Sequence, residues 1–440
     1  MNKLLQQIGI KDDSYGLVTI SDLIKLKVIE KPLDGNHGEI HPKGDDFVES
    51  GVPFVMASDI KNGQINYETC KYIKPEQAEG LRKGFAKSGD VLLTHKATIG
   101  RTALVNNKSY QYIMLTPQVT YYRVLDHNEL SNLYLKYYFD SSLFQKTLEL
   151  WSGSGSTRAY LGITAQHKLP VILPPIEKQK KIASTLAAYD NLIENSRKRI
   201  STIENITKEV YREWFVRFRF PEYKTSSFKK GIPASWEIKT LGDLCDVTSS
   251  KRIYQEDYVP EGVPFFRSKE IIQKSNGLEP KDILYISDEK YTEIKEKFGS
   301  PKSGDILLTS VGTLGISYQL RDDDKFYFKD GNLIWLKALD QEVNKFLKFW
   351  LNSPVGKAAL LETTIGSSQQ AFTISGLKKV KVLLPNIELI TEFNKFSAPL
   401  KEQCYNLHQQ IKILNNTKLS LIERLVSGEQ KVDRLNEEAV

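Results

Sequence analysis

Two polar loops, about 210 residues apart, carry the side chains best suited to chemistry in this chain. SGSGSTRAY at 152–160 holds Ser156, Thr157, Arg158 and Tyr160, and IGSSQQAF at 365–372 holds Ser368, Gln369 and Gln370. A guanidinium can donate two parallel hydrogen bonds to O6 and N7 of guanine, and a carboxamide can pair with N6 and N7 of adenine. Arg158 in one loop against Gln369 and Gln370 in the other is therefore how two similar surfaces would come to read different bases. A solvated Gly-Ser loop with no ligand accounts for the same residues. A second pair of loops, HKATIGR at 95–101 and SVGTLGI at 310–316, adds Lys96, Thr98 and Arg101 in the first copy and Thr313 in the second. Lys96 and Arg101 can meet phosphates or bases, whereas Gly100 and Gly315 need no more than a tight turn to explain them. Arg267, just past Val263-Pro264-Phe265, completes the candidate DNA contacts.

Catalytic and metal-binding patterns are missing from the sequence. The only Pro-Pro, Pro174-Pro175, lies between Leu173 and Ile176 and does not follow the Asp or Asn that an amino-methyltransferase would show. There is no Gly-x-Gly-x-x-Gly, no Gly-Lys-Ser/Thr phosphate loop and no Pro-Asp pair to open a nuclease carboxylate set. His37 and His41 have helical metal-ligand spacing, but Gly38 and Pro42 argue for a loop there. Asp322-Asp323-Asp324, beside Arg321 and Lys325, lacks the alternating ligands of a calcium loop and reads as a solvated turn. The expectation is a chain with no catalytic residue and no metal.

The loops sit in a duplicated framework. Val52-Pro53-Phe54 returns as Val263-Pro264-Phe265, Ser88-Gly89-Asp90 as Ser303-Gly304-Asp305, and Leu173-Pro174 as Leu384-Pro385. Runs such as DVLLT (90–94), QVTYYRV (118–124), DILLT (305–309) and NLIWLKA (332–338) read as strands, and 131–150 and 344–362 as helices, in the same order in both copies. After each Leu-Pro comes a long amphipathic helix. Ile182, Leu186, Tyr189, Ile193, Ser196, Ile200, Ile203, Thr207 and Val210 keep a four-three step, and so do Leu400, Cys404, Leu407, Ile411, Leu414, Lys418 and Leu421. A lone helix of about 38 residues, about 57 Å long, would expose that stripe to water, so the two seams are expected to cover each other. Pro399 predicts a short helix from Ile387, a break, and a long helix with the proline in its first turn. Lys418 is an odd member of the second seam. RFRFPEYKTSSFKKGIPASW, at 217–236, reads as an exposed crossing segment rather than core.

Composition sets wide bounds. The chain has 440 residues, 40% of them apolar, which is enough for more than one domain. Its net charge of +7 permits nucleic-acid binding without demanding it. Cys70, Cys245 and Cys404 are widely spaced and suggest neither a disulfide framework nor a thiolate metal site, as fits a reducing cytoplasm. No run approaches the roughly 18 apolar residues of a membrane span.

Four segments together carry a family resemblance: LPPIEKQKKIASTLAAYDNLIENSRKRI (173–200), EVYREWFVRF (209–218), GIPASWEIKTLGDL (231–244) and RLVSGEQKV (424–432). They resemble the specificity subunit of Type I restriction-modification enzymes, over nearly the whole chain. The resemblance implies an α+β protein with a pseudo-twofold internal repeat. Two tandem mixed α/β target-recognition domains are separated by two long helices that form an antiparallel coiled coil. The corresponding boundaries are 1–170 for the first domain, 171–216 for the first helix, 217–231 for a linker, 232–384 for the second domain, 385–428 for the second helix and 429–440 for a tail. The resemblance further implies a bipartite double-stranded DNA target, two modification subunits that bind S-adenosylmethionine and methylate adenine, restriction subunits where present, and no cofactor on this chain. A self-contained DNA-modifying or cleaving enzyme and a scaffold without nucleic acid are the alternatives.

Overall fold

The computed structural model describes residues 6–106, 109–153, 159–366 and 370–431. Two units divide the chain, Met1–Glu194 with Lys412–Val440, and Asn195–Ile411. Each therefore holds one recognition module together with part of each long helix.

In the first unit the strand Val91–Lys96 is central to a four-stranded sheet, between Thr98–Leu104 and Val119–Tyr122, with Leu33–Asp34 beyond the latter. Its residues are buried from Val91 to His95, so the strand reads as a continuous apolar run rather than an alternating one. Successive side chains enter opposite cores. Val91 and Leu93 join the helices Asn132–Asp140 and Ser142–Trp151, while Leu92 joins the adjacent five-stranded sheet through Val55 and Leu115. The Ser-Gly-Asp turn before the strand places Gly89 at φ 92, and its carbonyl accepts from Asn132 Nδ2 at 2.9 Å. The Asp90 carboxylate accepts from the Arg123 guanidinium through Nε (2.9 Å) and Nη2 (2.8 Å).

The second unit repeats the arrangement. Ile306–Thr309 lies between Leu333–Ala338 and Ser317–Gln319, Gly304 has φ 88, and Asn344 Nδ2 donates to its carbonyl at 2.7 Å. Asp305 again receives donors from the neighbouring strand, here the Trp335 indole N–H (2.8 Å) and the Ala338 amide (2.9 Å). The modules diverge away from this frame. The second carries helix Ser268–Ser275 where the first has a 3-10 turn and short strands between Ala57 and Ile65, and its helix Asp288–Phe298 is longer than the helix Pro75–Glu79 that follows the equivalent strand of the first.

The long helices run Ile176–Phe215 and Ile387–Val426, 40 residues each. Within both units they pair antiparallel. Ile182, Ala183 and Leu186 meet Leu421, Ile422 and Leu425 in the first unit. In the second, Ile200 and Ile203 meet Leu407 with Leu400, Cys404 and Ile411, and Tyr211 and Phe215 meet Leu389, Ile390 and Phe393. Of the predicted seam, Ile193 and Leu421 are also buried, whereas Tyr189, Val210 and Leu414 are half-buried.

Two expectations need correction. The break at Pro399 does not occur, and the helix is continuous with the proline inside it. Pro399 is exposed, while Phe393 and Ser397 on the same helix are buried, so the seam holds the helix and the carbonyl robbed of its donor faces water. The crossing segment is also not simply exposed: Phe220 and Trp236 are buried, and Phe218, Tyr223 and Ile232 pack beside them against Phe215. Its aromatic residues bury area that its Lys and Ser content obscured. Lys418 is no blemish on the seam, because its ammonium donates to Asp190 at 2.6 Å.

Candidate nucleic-acid interface

In the first unit the candidate residues converge on the end of the central hairpin. Thr98 pairs with Lys96 across a turn that forces Ala97 to φ 65, and a register shift follows between Ile99 and Thr102. The incoming end of the 152–161 loop is stitched to this turn. Ala97 N–H donates to Ala159 O at 3.3 Å, Leu161 N–H to His95 O at 3.0 Å, and Tyr160 bridges Lys96. Lys96 and Tyr160 are exposed, with the ammonium 6.0 Å from the ring centroid. A cation and an aromatic face thus share one surface, able to meet a phosphate and to stack on a base. Thr98 is half-buried beside them. Ser156, Thr157 and Arg158 lie outside the described residues, as do Ser368 and Gln369.

Arg101 is used differently. Its Nη1 donates to the carbonyls of Ala57 (3.2 Å) and Ile60 (3.3 Å), and its amide to Thr94 Oγ1 (2.9 Å), so it ties the hairpin to the neighbouring turn. Beneath the turn lies a buried polar cluster that sequence reasoning missed. His95 is fully buried, with Nδ1 3.0 Å from Leu161 O, and burial pulls its imidazole below the usual range. Neutral imidazole with the proton on Nδ1 satisfies that carbonyl and leaves Nε2 4.0 Å from Asp34. Asp34 is held by Lys83 and by His37 at 2.9 Å; burial raises its carboxyl, but those hydrogen bonds outweigh burial and hold it low. The signal lies in HKATIG, where strand alternation turns His95 inward when Lys96 is exposed.

The second unit builds the same platform with other residues. Val311 bridges Ala371, Ala371 bridges Ile365, and Phe372 N–H donates to Ser310 O at 3.0 Å. Thr313 is exposed in a turn framed by Gly312 (φ 75) and Gly315 (φ 74), and Gln370 is exposed on the loop that crosses it. Thr309 Oγ1 accepts from Ile316 N–H at 2.9 Å, as Thr94 does from Arg101. Arg267 stands apart from this platform: its guanidinium grips the buried Glu270 through Nη2 (2.6 Å) and Nε (3.2 Å) at the start of helix Ser268–Ser275. That engagement raises its affinity for the proton and anchors the helix, leaving less of the fork for a base.

A duplicated α+β frame, differing surface loops over matching hairpins and antiparallel helices define a tandem recognition protein. The Type I restriction modification DNA specificity domain matches the chain at residues 15–205 and 233–414, and the chain belongs to that family, with two recognition domains in tandem. A Methanocaldococcus jannaschii protein named type I restriction enzyme MjaIX specificity subunit is 25% identical, with 94% of each chain covered. A Haemophilus influenzae protein named putative type I restriction enzyme specificity subunit S.HindORF215P is 26% identical over 88% of this chain and 89% of its own. The crystal structure of the Type-I restriction-modification system S subunit from M. genitalium has the same fold, with a TM-score of 0.54, 14% identity, and coverage of 95% of this chain and 96% of that one. Among the described residues no helix is long and apolar enough to cross a membrane, and no group of three or more His, Cys, Asp or Glu is placed to hold a metal ion.

Proposed function

We propose that the two modules each read one half of a bipartite double-stranded DNA target, and that the paired helices fix the spacer between the halves. The observation carrying this reading is the repeated hairpin platform with unlike side chains on it, Lys96 and Tyr160 in one unit and Thr313 and Gln370 in the other. Phosphate contacts from Lys96 would set register, and side chains of the segments 152–160 and 365–372 would contact base edges. Methyl transfer belongs to two modification subunits docked on the helices, with S-adenosylmethionine bound there and adenine as substrate; restriction subunits join where the host encodes them. This chain contributes recognition and no reacting group.

The test pairs purified chain with DNA and labelled S-adenosylmethionine, with and without the modification subunit, and maps the methylated adenines by sequencing. Methylation at one bipartite site, only when both proteins are present, is the expected result. Transfer by this chain alone would refute the division of labour.

A further inference from the structure

The two copies treat one position of the fold in opposite ways. In the first unit, Lys136 on helix Asn132–Asp140 is almost fully buried, with its ammonium 2.9 Å from Asp140 and 3.6 Å from Asp190. Asp190 also accepts from Lys418 (2.6 Å) and the Tyr137 hydroxyl (2.7 Å), and Asp140 accepts from Thr102. Two ammonium groups therefore face two carboxylates.

The repeat places Lys348 where the first copy has Lys136, Asn352 for Asp140, Phe349 for Tyr137, Ser317 for Thr102, Lys401 for Asp190 and Thr207 for Lys418. The geometry agrees with the alignment. Lys401 Nζ lies 4.3 Å from the Phe349 ring centroid, just as Asp190 lies against Tyr137 and accepts from its hydroxyl at 2.7 Å. Lys348 donates to both the carbonyl and the hydroxyl of Ser317, and Asn352 Nδ2 donates to the same hydroxyl at 3.0 Å. Both carboxylates are gone, and one has become a second lysine. Among the described residues no carboxylate lies within ion-pair distance of Lys348 or Lys401. Glu342, which Lys401 feels, is engaged by Lys345 (2.6 Å) and Asn394 (2.8 Å).

The second copy is also open at this position. A cavity of about 680 Å³ is bounded by Lys348, Lys401, Thr207, Ser317 and Asn352, all within the second unit. Its charged rim is Glu204, Lys208, Glu209 and Arg212, of which Glu209 pairs with Arg212 at 3.7 Å. On the other side of the two lysines stand Lys274, Arg321 and His408 with Glu279 and Asp323. A pair of partly buried cations with no counter-charge is costly, and the same fold elsewhere supplies two carboxylates to remove that cost.

We propose that this cavity is a ligand site for a small dicarboxylate or tricarboxylate, which supplies to Lys348 and Lys401 the charges that Asp140 and Asp190 supply to Lys136. The inference does not depend on DNA reading. Burial, and secondarily the charge of Lys401, pulls the Lys348 ammonium down to about 7; burial and Lys345 pull Lys401 down to about 8. Carboxylate binding favours the charged ammonium, so it takes up protons, and affinity falls as pH rises through that window.

The test is calorimetric titration of citrate into the full chain at constant ionic strength, in buffers of different ionisation enthalpy. Saturable binding with proton uptake at pH 7.5 is expected, weaker at pH 9, with a higher melting temperature in citrate. Lys401→Asp, which restores the charge of the first copy, should weaken binding by about tenfold or more and raise the melting temperature without citrate. Lys348→Met, apolar and of similar length, should weaken binding likewise if the aspartate variant misfolds. No saturable binding, affinity unchanged from the wild type in both variants, or inorganic phosphate binding as tightly as citrate would overturn the assignment.

Discussion

Replacing Asp190 by alanine should destabilise the first unit severely. Its carboxylate stands between two ammonium groups, 3.6 Å from Lys136 and 2.6 Å from Lys418, with side-chain exposures of 28% for Asp190, 4% for Lys136 and 13% for Lys418. Removing one partner of a buried ion pair costs about 3–5 kcal/mol, because the remaining charge stays buried without its counter-ion. Lys136 would keep Asp140, while Lys418 has no other carboxylate within ion-pair distance among the described residues, so the lower end of that range, about 3 kcal/mol, is expected. For a unit of this size the melting transition should fall by roughly 6–12 °C. The pH dependence discriminates further. Burial raises the Asp190 carboxyl, but Lys136 and then Lys418 outweigh it, and the net position is below the ordinary aspartate range. A lowered carboxyl contributes stability that is present above its unfolded value, about 3.9, and lost as pH falls through the folded one. Burial lowers the Lys136 ammonium, yet Asp140 and Asp190 outweigh burial and raise it, so its contribution is full below the unfolded value of about 10.4. The gap between wild type and Asp190→Ala should thus be flat from about pH 5 to 9 and close below about pH 4. Calorimetric melts of both proteins over that range supply the comparison. An unchanged melting temperature at pH 7, or a gap that widens in acid, would show that the network holds nothing together.

Four further outcomes are expected. Leu186→Ala, at a fully buried seam position, should cost about 3 kcal/mol in denaturant titration and Leu414→Ala, half-buried, about 1. Pro399→Ala restores a helix donor on an exposed face and should raise stability by about 1–3 kcal/mol; a lower denaturation midpoint would mean the proline sets a curvature that the seam needs. Arg158→Ala should relax one half-site by about 1–3 kcal/mol and Gln370→Ala only the other, as read by binding to DNA randomised in one half; uniform weakening would make them phosphate contacts. Inserting four residues near Arg212 lengthens the first helix by about 6 Å and should lengthen the methylated spacer by one or two base pairs, so an active variant with the original spacer would refute the rod.

The sequence revealed what recurs and what repeats with helical or strand period. The Ser-Gly-Asp turns, the buried strands behind them and both long helices were legible because each is dictated by local backbone needs or by a periodic apolar stripe. Pro399 misled because propensity was weighed at one residue, while the burial of Phe393, Ser397 and Leu407 along the same helix decides whether it continues. Lys418 looked like a flaw for the same reason: its partner Asp190 is 228 positions away and belongs to another helix. Among the candidate contacts, Lys96 and Tyr160 could be paired only once a strand bridge was seen, and Arg267 and Arg101 could not be told from free cations until their carboxylate and carbonyl partners were known. Side-chain type shows what a residue can bind, but the local competition for its donors determines what it does bind.

Several of the hydrogen bonds that survive duplication fix main chain. Asn132 and Asn344 hold the carbonyl of the turn glycine, Thr94 and Thr309 hold an amide across the hairpin, and Asp90 and Asp305 cap the turn amides of Lys87 and Lys302. Contacts that differ involve side chains beyond that frame, such as Arg123 against Trp335 on the same aspartate and Lys96 against Val311 at the hairpin end. A frame held through its own backbone places no demand on the residues at its tip. The tip can therefore diverge without loss of fold, which is the physical condition for one architecture to carry two specificities in one chain.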